Sequence, residues 1–265
     1  MIILITGVTS GFGRAMAAKL ASEGHTVYGT RRKNVEPLEG VTYITADVQN
    51  EEDCRAAVQR VLDEQGRIDV FISNAGMGIG GPLEFCTLEQ ARKQMDVNWM
   101  GMVRMLHFVL PAMRTQKSGH IICFSSIGGL MGLPFQGLYS ASKFAIEGYC
   151  EALRMETREF GIKVTVIEPG DFATSFTASR NSVQDPAAAE AYPAWTRALQ
   201  SIEHDETSGL KPEFLAEKIS RIIKKKHPRH SYIIATLEQR LSVLLKAILP
   251  APWFESILRK YYKLP

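Results

Sequence analysis

The chain has 265 residues, 45% hydrophobic and 22% charged, with a formal net charge of +3. That length can bury a full core, the composition excludes a disordered chain, and the small positive balance gives no case for nucleic-acid binding. Cys54, Cys86, Cys123 and Cys150 form neither a CxxC nor a Cys/His ligand cluster, which favours free thiols in a reducing compartment. The opening MIILITG lacks the basic and long apolar regions of a signal peptide. No run nears the roughly 18 apolar residues of a membrane span. The expectation is a soluble, cytoplasmic protein.

Short apolar runs alternate with segments of helical period. Ile2–Ile5 reads as a buried strand, and residues 11–23 as a helix with Gly24 just past its end. Strands are expected at 26–29, 41–45 and 69–73, with an amphipathic helix over 51–65. Residues 88–115 read as one long helix, kinked late by Pro111. A strand at 120–124, a helix over 139–160 and a strand at 163–167 follow, then a helix over 212–226 and a strand at 232–235. Strands apolar on both faces, each followed by a helix, predict an α/β fold: a doubly wound, Rossmann-like parallel sheet of about seven strands with helices on both faces. One domain over 1–265 is the economical reading. Residues 171–211, rich in Ala, Ser, Thr and acidic side chains, interrupt the alternation and read as a mobile lid.

The first strand runs into TGVTSGFGR. Gly7 would permit a tight turn, Gly11 a close approach to a pyrophosphate, and Gly13 close packing of helix on strand. The helix would then aim free N–H groups and its positive end at phosphates. The spacing is GxxxGxG, so a generic βα turn is the other reading. The second strand ends GTRR. NAD-specific sites place a carboxylate here, whereas Arg31 and Arg32 would pair with a 2′-phosphate, which points to NADP(H) with NAD(H) as the alternative. Two solvated arginines are the plainer reading.

Tyr139 is the only one of eight tyrosines with a lysine four residues on. On a helix that puts Lys143 one turn away on the same face, where an ammonium would lower the phenol's pKa. Such a phenol could serve as a catalytic acid and base. It could equally be a surface tyrosine beside a surface lysine.

Several motifs fall in one order. TGxxxGxG spans Thr6 to Gly13, Asp47-Val48 follows the third strand, and Asn74-Ala75-Gly76 the fourth. Asn98 lies in DVNWMG, Ser125-Ser126 follow the fifth strand, and Tyr139 and Lys143 come thirteen and seventeen positions after Ser126. Pro169-Gly170 follows the sixth strand, with Thr174 four residues beyond. This ordered set resembles the short-chain dehydrogenase/reductase superfamily in its one-domain branch, to about Ala235. The wording NAGMGIGGPLEF and SSIGGLMGLPFQGLYSASKFA is most similar to its 17-beta-hydroxysteroid dehydrogenase-like group. Two departures stand out: Ser73 replaces the first Asn of the usual NNAG, and no acidic residue ends the second strand.

The resemblance implies an oxidoreductase. Tyr139 would be the general acid and base, with Lys143 and NADP⁺ lowering its pKa. Lys143 would also bond the nicotinamide ribose. Ser126 would hydrogen-bond the substrate oxygen, and Asn98 would hold a water linking Lys143 to solvent. Gly7, Thr9, Ser10, Gly11, Phe12 and Gly13 would cradle the phosphates, and Asp47 and Val48 would border the adenine. Asn74, Ala75 and Gly76 would pass beside the adenosine ribose, while Pro169, Gly170, Phe172 and Thr174 would meet the nicotinamide. No metal site is suggested, and the histidines show no ligand spacing.

Met77, Met131, Leu133, Phe135, Phe172 and Phe176 are expected near the nicotinamide, joined by Tyr192 and Trp195 from the lid. They imply a bulky apolar ketone or secondary alcohol, of steroid, retinoid or lipid type. The tail at 237–265 carries apolar residues at helical spacing beside Lys246, Arg259, Lys260 and Lys263. It would cap the cleft or a neighbouring subunit, or lie peripherally in a membrane interface. The family resemblance also implies a homodimer or homotetramer, paired through the helices that begin at Leu88 and near Tyr139. Three other functions stay open: a non-catalytic NADP-sensing module, a 3-ketoacyl-carrier-protein reductase, and a sugar-nucleotide epimerase, for which the chain has little room.

Overall fold

The computed structural model describes residues 1–265. The chain opens with β1 (Ile2–Ile5), α1 (Gly11–Ser22), β2 (Thr26–Arg31), β3 (Val41–Thr45), α2 (Glu51–Gln65) and β4 (Val70–Ser73). A two-residue strand β5 (Ile79–Gly80) precedes α3 (Leu88–Met95) and α4 (Gly101–Gln116). Next come β6 (Gly119–Phe124), α5 (Gly137–Glu156) and β7 (Ile162–Pro169). Beyond β7 lie α6 (Phe176–Ser179), β8 (Asn181–Ser182), α7 (Pro186–Ala191) and α8 (Pro193–Thr207). The chain closes with α9 (Pro212–Ile223), β9 (Ser231–Ile234), α10 (Leu237–Ile248) and α11 (Ala251–Tyr261).

Seven strands pair in parallel in the order β3-β2-β1-β4-β6-β7-β9. Successive residues of a strand face opposite sides, and here both sides are covered. Leu4 packs with Phe71 and Ile121 under α2, α4 and α5. Its neighbours Ile3 and Ile5 pack with Ile72 and Ile122 under α1 and α9. That is why the strands read as unbroken apolar runs. The chain winds outward from β1 to β3, then returns to β4 and winds the other way. This reversal opens a crevice beyond the C-terminal ends of β1 and β4.

Local chemistry sets the helix ends. The Asn50 side chain accepts from the backbone N–H groups of Glu52 and Asp53 at 2.9 and 3.1 Å, and Gly66 ends α2 in the left-handed region. The expected helix over 88–115 differs in one respect. Its irregularity lies at a π-turn, Asp96–Met100, between α3 and α4, while Pro111 sits inside the continuous helix α4. The wide turn carries Asn98, whose side chain is drawn sideways onto the Met77 backbone.

The segment after β7 is tied at both ends. The Ala173 N–H donates to Leu210 O at 2.9 Å, and the Leu210 N–H donates to Asp171 O at 3.1 Å. Midway, β8 pairs with β5. In the tail, Thr236 and Gln239 form a reciprocal cap on α10, and Phe254 of α11 buries against Ile127 and Met131. Leu237, Leu241, Leu244, Ile248, Trp253 and Ile257 stay exposed along the outer faces of α10 and α11. No helix is long and apolar enough to cross a membrane.

Glu168, near the end of β7, is buried with Oε2 unpartnered. Burial, then the charge of Glu147, pushes its carboxyl up to about 8 from an ordinary 4.5. The folded chain therefore keeps a proton that the unfolded chain releases, and stability falls as pH rises from about 4.5 through about 8. Glu168→Gln is expected to flatten that decline and raise the melting temperature at the alkaline end. An unchanged pH slope in thermal melts would contradict the assignment.

Candidate active site

A cleft of about 590 Å³ runs over the C-terminal ends of β1 and β4 and beneath the segment after β7. Its floor is the turn after β1. Gly7 holds φ at 73°, which lets the chain reverse into α1. A Cβ on Gly13 would fall 2.0 Å from the Gly7 carbonyl oxygen and 2.7 Å from Asn74 Nδ2. Only glycine lets α1 sit this close. The first turn of α1 has no acidic residue, and Ser10 makes no side-chain cap, so its N–H groups face the cleft uncompensated.

Asn74 stitches this floor to β4. Its Nδ2 donates to the carbonyls of Thr6 and Gly7 at 2.9 and 3.0 Å, and Thr6 Oγ1 accepts from the N–H groups of Asn74 and Ala75, each at 3.0 Å. At one end of the cleft stand Arg31 and Arg32. Arg31 lies 4.6 Å from the centre of the Tyr43 ring and leaves a buried Nε without a partner. Arg32 faces Asp47 at 3.8 Å. The glycine cradle, the open helix end and the unpartnered guanidinium nitrogen fit a dinucleotide with its phosphates on α1.

At the other end Ser126, Tyr139 and Lys143 meet. Lys143 is buried on α5, and its Nζ donates to Phe124 O at 2.8 Å. Burial pulls its ammonium down to about 8, although the charge of Glu147 opposes this. The ammonium stands 5.6 Å from the centre of the Tyr139 ring. Ser126 Oγ accepts from the Gly128 N–H at 3.0 Å, which orients the hydroxyl. The expectation concerns Lys143 acting together with bound NADP⁺, whereas within the protein alone burial is the largest influence on the phenol. Packing around the Tyr139 hydroxyl raises its pKa to about 12, the Ser126 hydroxyl lowers it only in part, and Glu206 adds to the rise.

Asn98 is buried at the π-turn and fully engaged through its side chain. Its Oδ1 accepts from the Met77 N–H at 2.8 Å, and its Nδ2 donates to Met77 O and Ser142 Oγ, each at 3.0 Å. The Ser142 hydroxyl in turn donates to Tyr139 O at 2.7 Å. The amide is thus spent on steadying the loop after β4 and the first turns of α5, and it makes no bond to Lys143.

Gly7, Thr9, Ser10, Gly11, Phe12, Arg31, Arg32, Asp47, Val48 and the Asn74–Gly76 run all border the cleft, as do Pro169, Gly170, Phe172 and Thr174. Met77, Leu133 and Phe176 line it as well. Met131 and Phe135 do not. Met131 is buried beneath the tail with Ile127 and Phe254. Phe135 takes φ 60°, and its ring packs 5.2 Å from Trp195 and 6.5 Å from Tyr192. Those two lid aromatics form an outer cluster with it, and the Tyr192 hydroxyl donates to Glu84 at 2.7 Å. Missed from sequence were Gln136, Asp171, Ile202, Asp205, Glu206 and Tyr262, which close the inner end. They come from four separate elements, and no local pattern marks them.

A Rossmann-like sheet with this cleft defines an oxidoreductase of the class that uses a nicotinamide dinucleotide on alcohol and carbonyl groups. The family profile described as short chain dehydrogenase matches residues 1–185. A protein of Bacteroides thetaiotaomicron called 3-ketodihydrosphingosine reductase is 46% identical over 98% of this chain and 97% of its own length. Human 17-beta-hydroxysteroid dehydrogenase type 1 is 39% identical over 66% of this chain, and the chain spans 58% of that protein. The solved structure of a short-chain dehydrogenase/reductase from Burkholderia phymatum in complex with NAD aligns with a TM-score of 0.79 and 25% identity, over 92% of each chain. The chain belongs to the short-chain dehydrogenase family.

The raised phenol makes a direct expectation. In the difference between wild type and Tyr139→Phe without cofactor, tyrosinate absorbance should emerge only near pH 12. Emergence near the pH where Lys143 titrates, about 8, would overturn the dominance of burial.

Proposed function

We propose that this chain is an NADP(H)-dependent oxidoreductase acting on the carbonyl or secondary alcohol of a long, largely apolar substrate, with Tyr139 exchanging the proton. The observation that carries this reading is the convergence of Ser126, Tyr139 and Lys143 in the cleft that also holds the glycine turn and both arginines. A bound dinucleotide would supply or accept the hydride. In reduction Tyr139 gives its phenolic proton to the carbonyl oxygen, and in oxidation the phenolate takes it back from the alcohol. Ser126 donates a hydrogen bond to the same oxygen and stabilises charge as it develops there. Lys143, fixed by the Phe124 carbonyl, holds a positive charge beside the ring. Asn98 holds the Tyr139 turn in register through Ser142.

Two arginines and no carboxylate at the end of β2 support NADP(H). The name of the Bacteroides relative favours a long-chain lipid ketone over a steroid, because the likeness to it runs the length of the chain. Likeness to the human hydroxysteroid enzyme stops at two thirds. The exposed stripe of α10 and α11, flanked by Lys246, Arg259, Lys260 and Lys263, supports peripheral contact with an anionic bilayer from which such a lipid would come.

With a long-chain ketone, NADPH oxidation is expected to exceed NADH oxidation by about tenfold in kcat/KM. Tyr139→Phe should lower kcat by roughly 10² or more while NADPH still binds. Unaltered turnover in that variant would remove the proposed acid. Vesicles containing phosphatidylserine should carry the protein with them on flotation, and Trp253→Glu should weaken this. Equal recovery with neutral vesicles would remove the membrane contact.

A further inference from the structure

Two acids lie behind Tyr139 and Lys143, and the proposed reaction does not use them. On α5, Lys143, Glu147 and Arg154 recur at helical spacing, on the face that carries Ile146, Cys150 and Leu153 into the core. On β7, which packs on α5, Val164 and Val166 join the same cluster. Glu168, two positions further along that strand, points to the same side of the sheet. Neither acid borders the cleft, whereas Lys143 and Ser125 do.

Both acids lack the partners that burial demands. Glu168 is 2% exposed, and its Oε2 bonds to nothing. Glu147 is half-buried, with its Oε1 shut off from solvent and equally unpartnered. The Phe124 carbonyl takes only one of the donors of the buried Lys143 ammonium. An enclosed charge left unpaired is costly, so these groups settle their charges among themselves.

Their neighbours decide where the charge rests. Burial lowers Lys143, and Glu147, one helical turn beyond it, is the strongest group opposing that fall. Cys123 of β6 acts on Lys143 in the same sense, more weakly. Burial raises Glu147, but the Ser125 hydroxyl, then Lys143 and Arg154, pull it back toward the ionised form against Glu151. Ser125 Oγ lies 3.4 Å from Lys143 O, a weak contact that leaves its proton for Glu147. Glu168 meets a different set. Burial and the charge of Glu147 raise it, and β9 offers it the neutral Ser231 hydroxyl and the Tyr232 N–H. Two enclosed carboxyls that feel each other do not both ionise, and the one without a cation keeps the proton.

We propose that Glu147 and Glu168 form a carboxyl pair behind the active site that holds one proton and one negative charge, and that Glu147, bearing the charge, is a positioning residue that keeps Lys143 cationic. This rests on the reading of Tyr139 and Lys143 as the proton-exchanging pair, and it adds the counter-charge behind them. With the anion in place the ammonium persists to about 8. Without it Lys143 gives up its proton at lower pH, and the positive charge beside the phenol goes with it.

Two measurements test this. In Glu147→Gln the alkaline limb of kcat/KM against pH, which follows the Lys143 ammonium, should move down by about one pH unit or more. Glu168→Gln should shift it far less, because the amide resembles the protonated acid. Loss of stability alone would lower activity without moving the limb. An unmoved limb in Glu147→Gln, or equal shifts in both variants, would overturn the assignment. The second measurement needs no substrate. The infrared difference between wild type and Glu168→Gln should show a protonated-carboxyl stretch at neutral pH, which fades in wild type as pH rises through about 8. Absence of that stretch would overturn the pair. If no ketone is reduced, the proposed reaction falls, while the infrared stretch still upholds or overturns the carboxyl pair.

Discussion

The hydroxyl of Thr6 accepts two backbone N–H groups from the chain leaving β4, and the rest of the site depends on that junction. The ladder between β1 and β4 ends where the Thr6 N–H donates to Ile72 O at 3.0 Å, and beyond that point the two chains leave for opposite faces. Thr6 and Asn74 supply the missing bonds. With the two ends joined, Gly13 packs against Gly7 and the open end of α1 is set over the crevice. A longer side chain at position 13 would push the helix off that mark. The cradle is therefore a consequence of two polar side chains and one missing Cβ, placed where the sheet has no hydrogen bonds of its own to give.

The same economy fixes the reacting groups. Tyr139 and Lys143 share a face of α5 because they are four residues apart, yet their positions over the sheet are set from outside that helix. The Phe124 carbonyl anchors the ammonium, and Asn98 reaches across from the π-turn to Ser142 and so to the Tyr139 carbonyl. Burial is the largest influence on the phenol of Tyr139, and it raises it. Glu206 and Asp171 across the cleft add to the rise, and the Ser126 hydroxyl and Arg180 oppose it. The result is a phenol that ionises less readily than a free tyrosine.

The chamber beyond Tyr139 is assembled from parts distant in sequence. Asp171 follows β7, Asp205 and Glu206 end α8, and Tyr262 comes in with the tail. The segment after β7 can place these groups because its ends are clamped together and its middle is pinned by β8 on β5. Its aromatic residues, Tyr192 and Trp195, pack on Phe135 away from the cleft. The acidic residues turn inward.

The order of motifs along the chain determined the fold, the family and the groups that border the cleft's floor, because each belongs to a strand end and strand ends converge in a parallel sheet. The unbroken apolar runs fixed which segments are strands, since both faces of this sheet are covered. What the spacing could not give was the balance of forces on a group once it is enclosed. Tyr139 and Lys143 are one turn apart in any helix, but only the tertiary structure sets how much water the phenol loses and which charges face it. Likewise a stretch rich in Ala, Ser, Thr and acidic residues reads as a polar lid until the fold decides which side chains it turns inward. Spacing is a property of the backbone and is carried in the sequence. Desolvation and long-range charge depend on neighbours that only folding brings near.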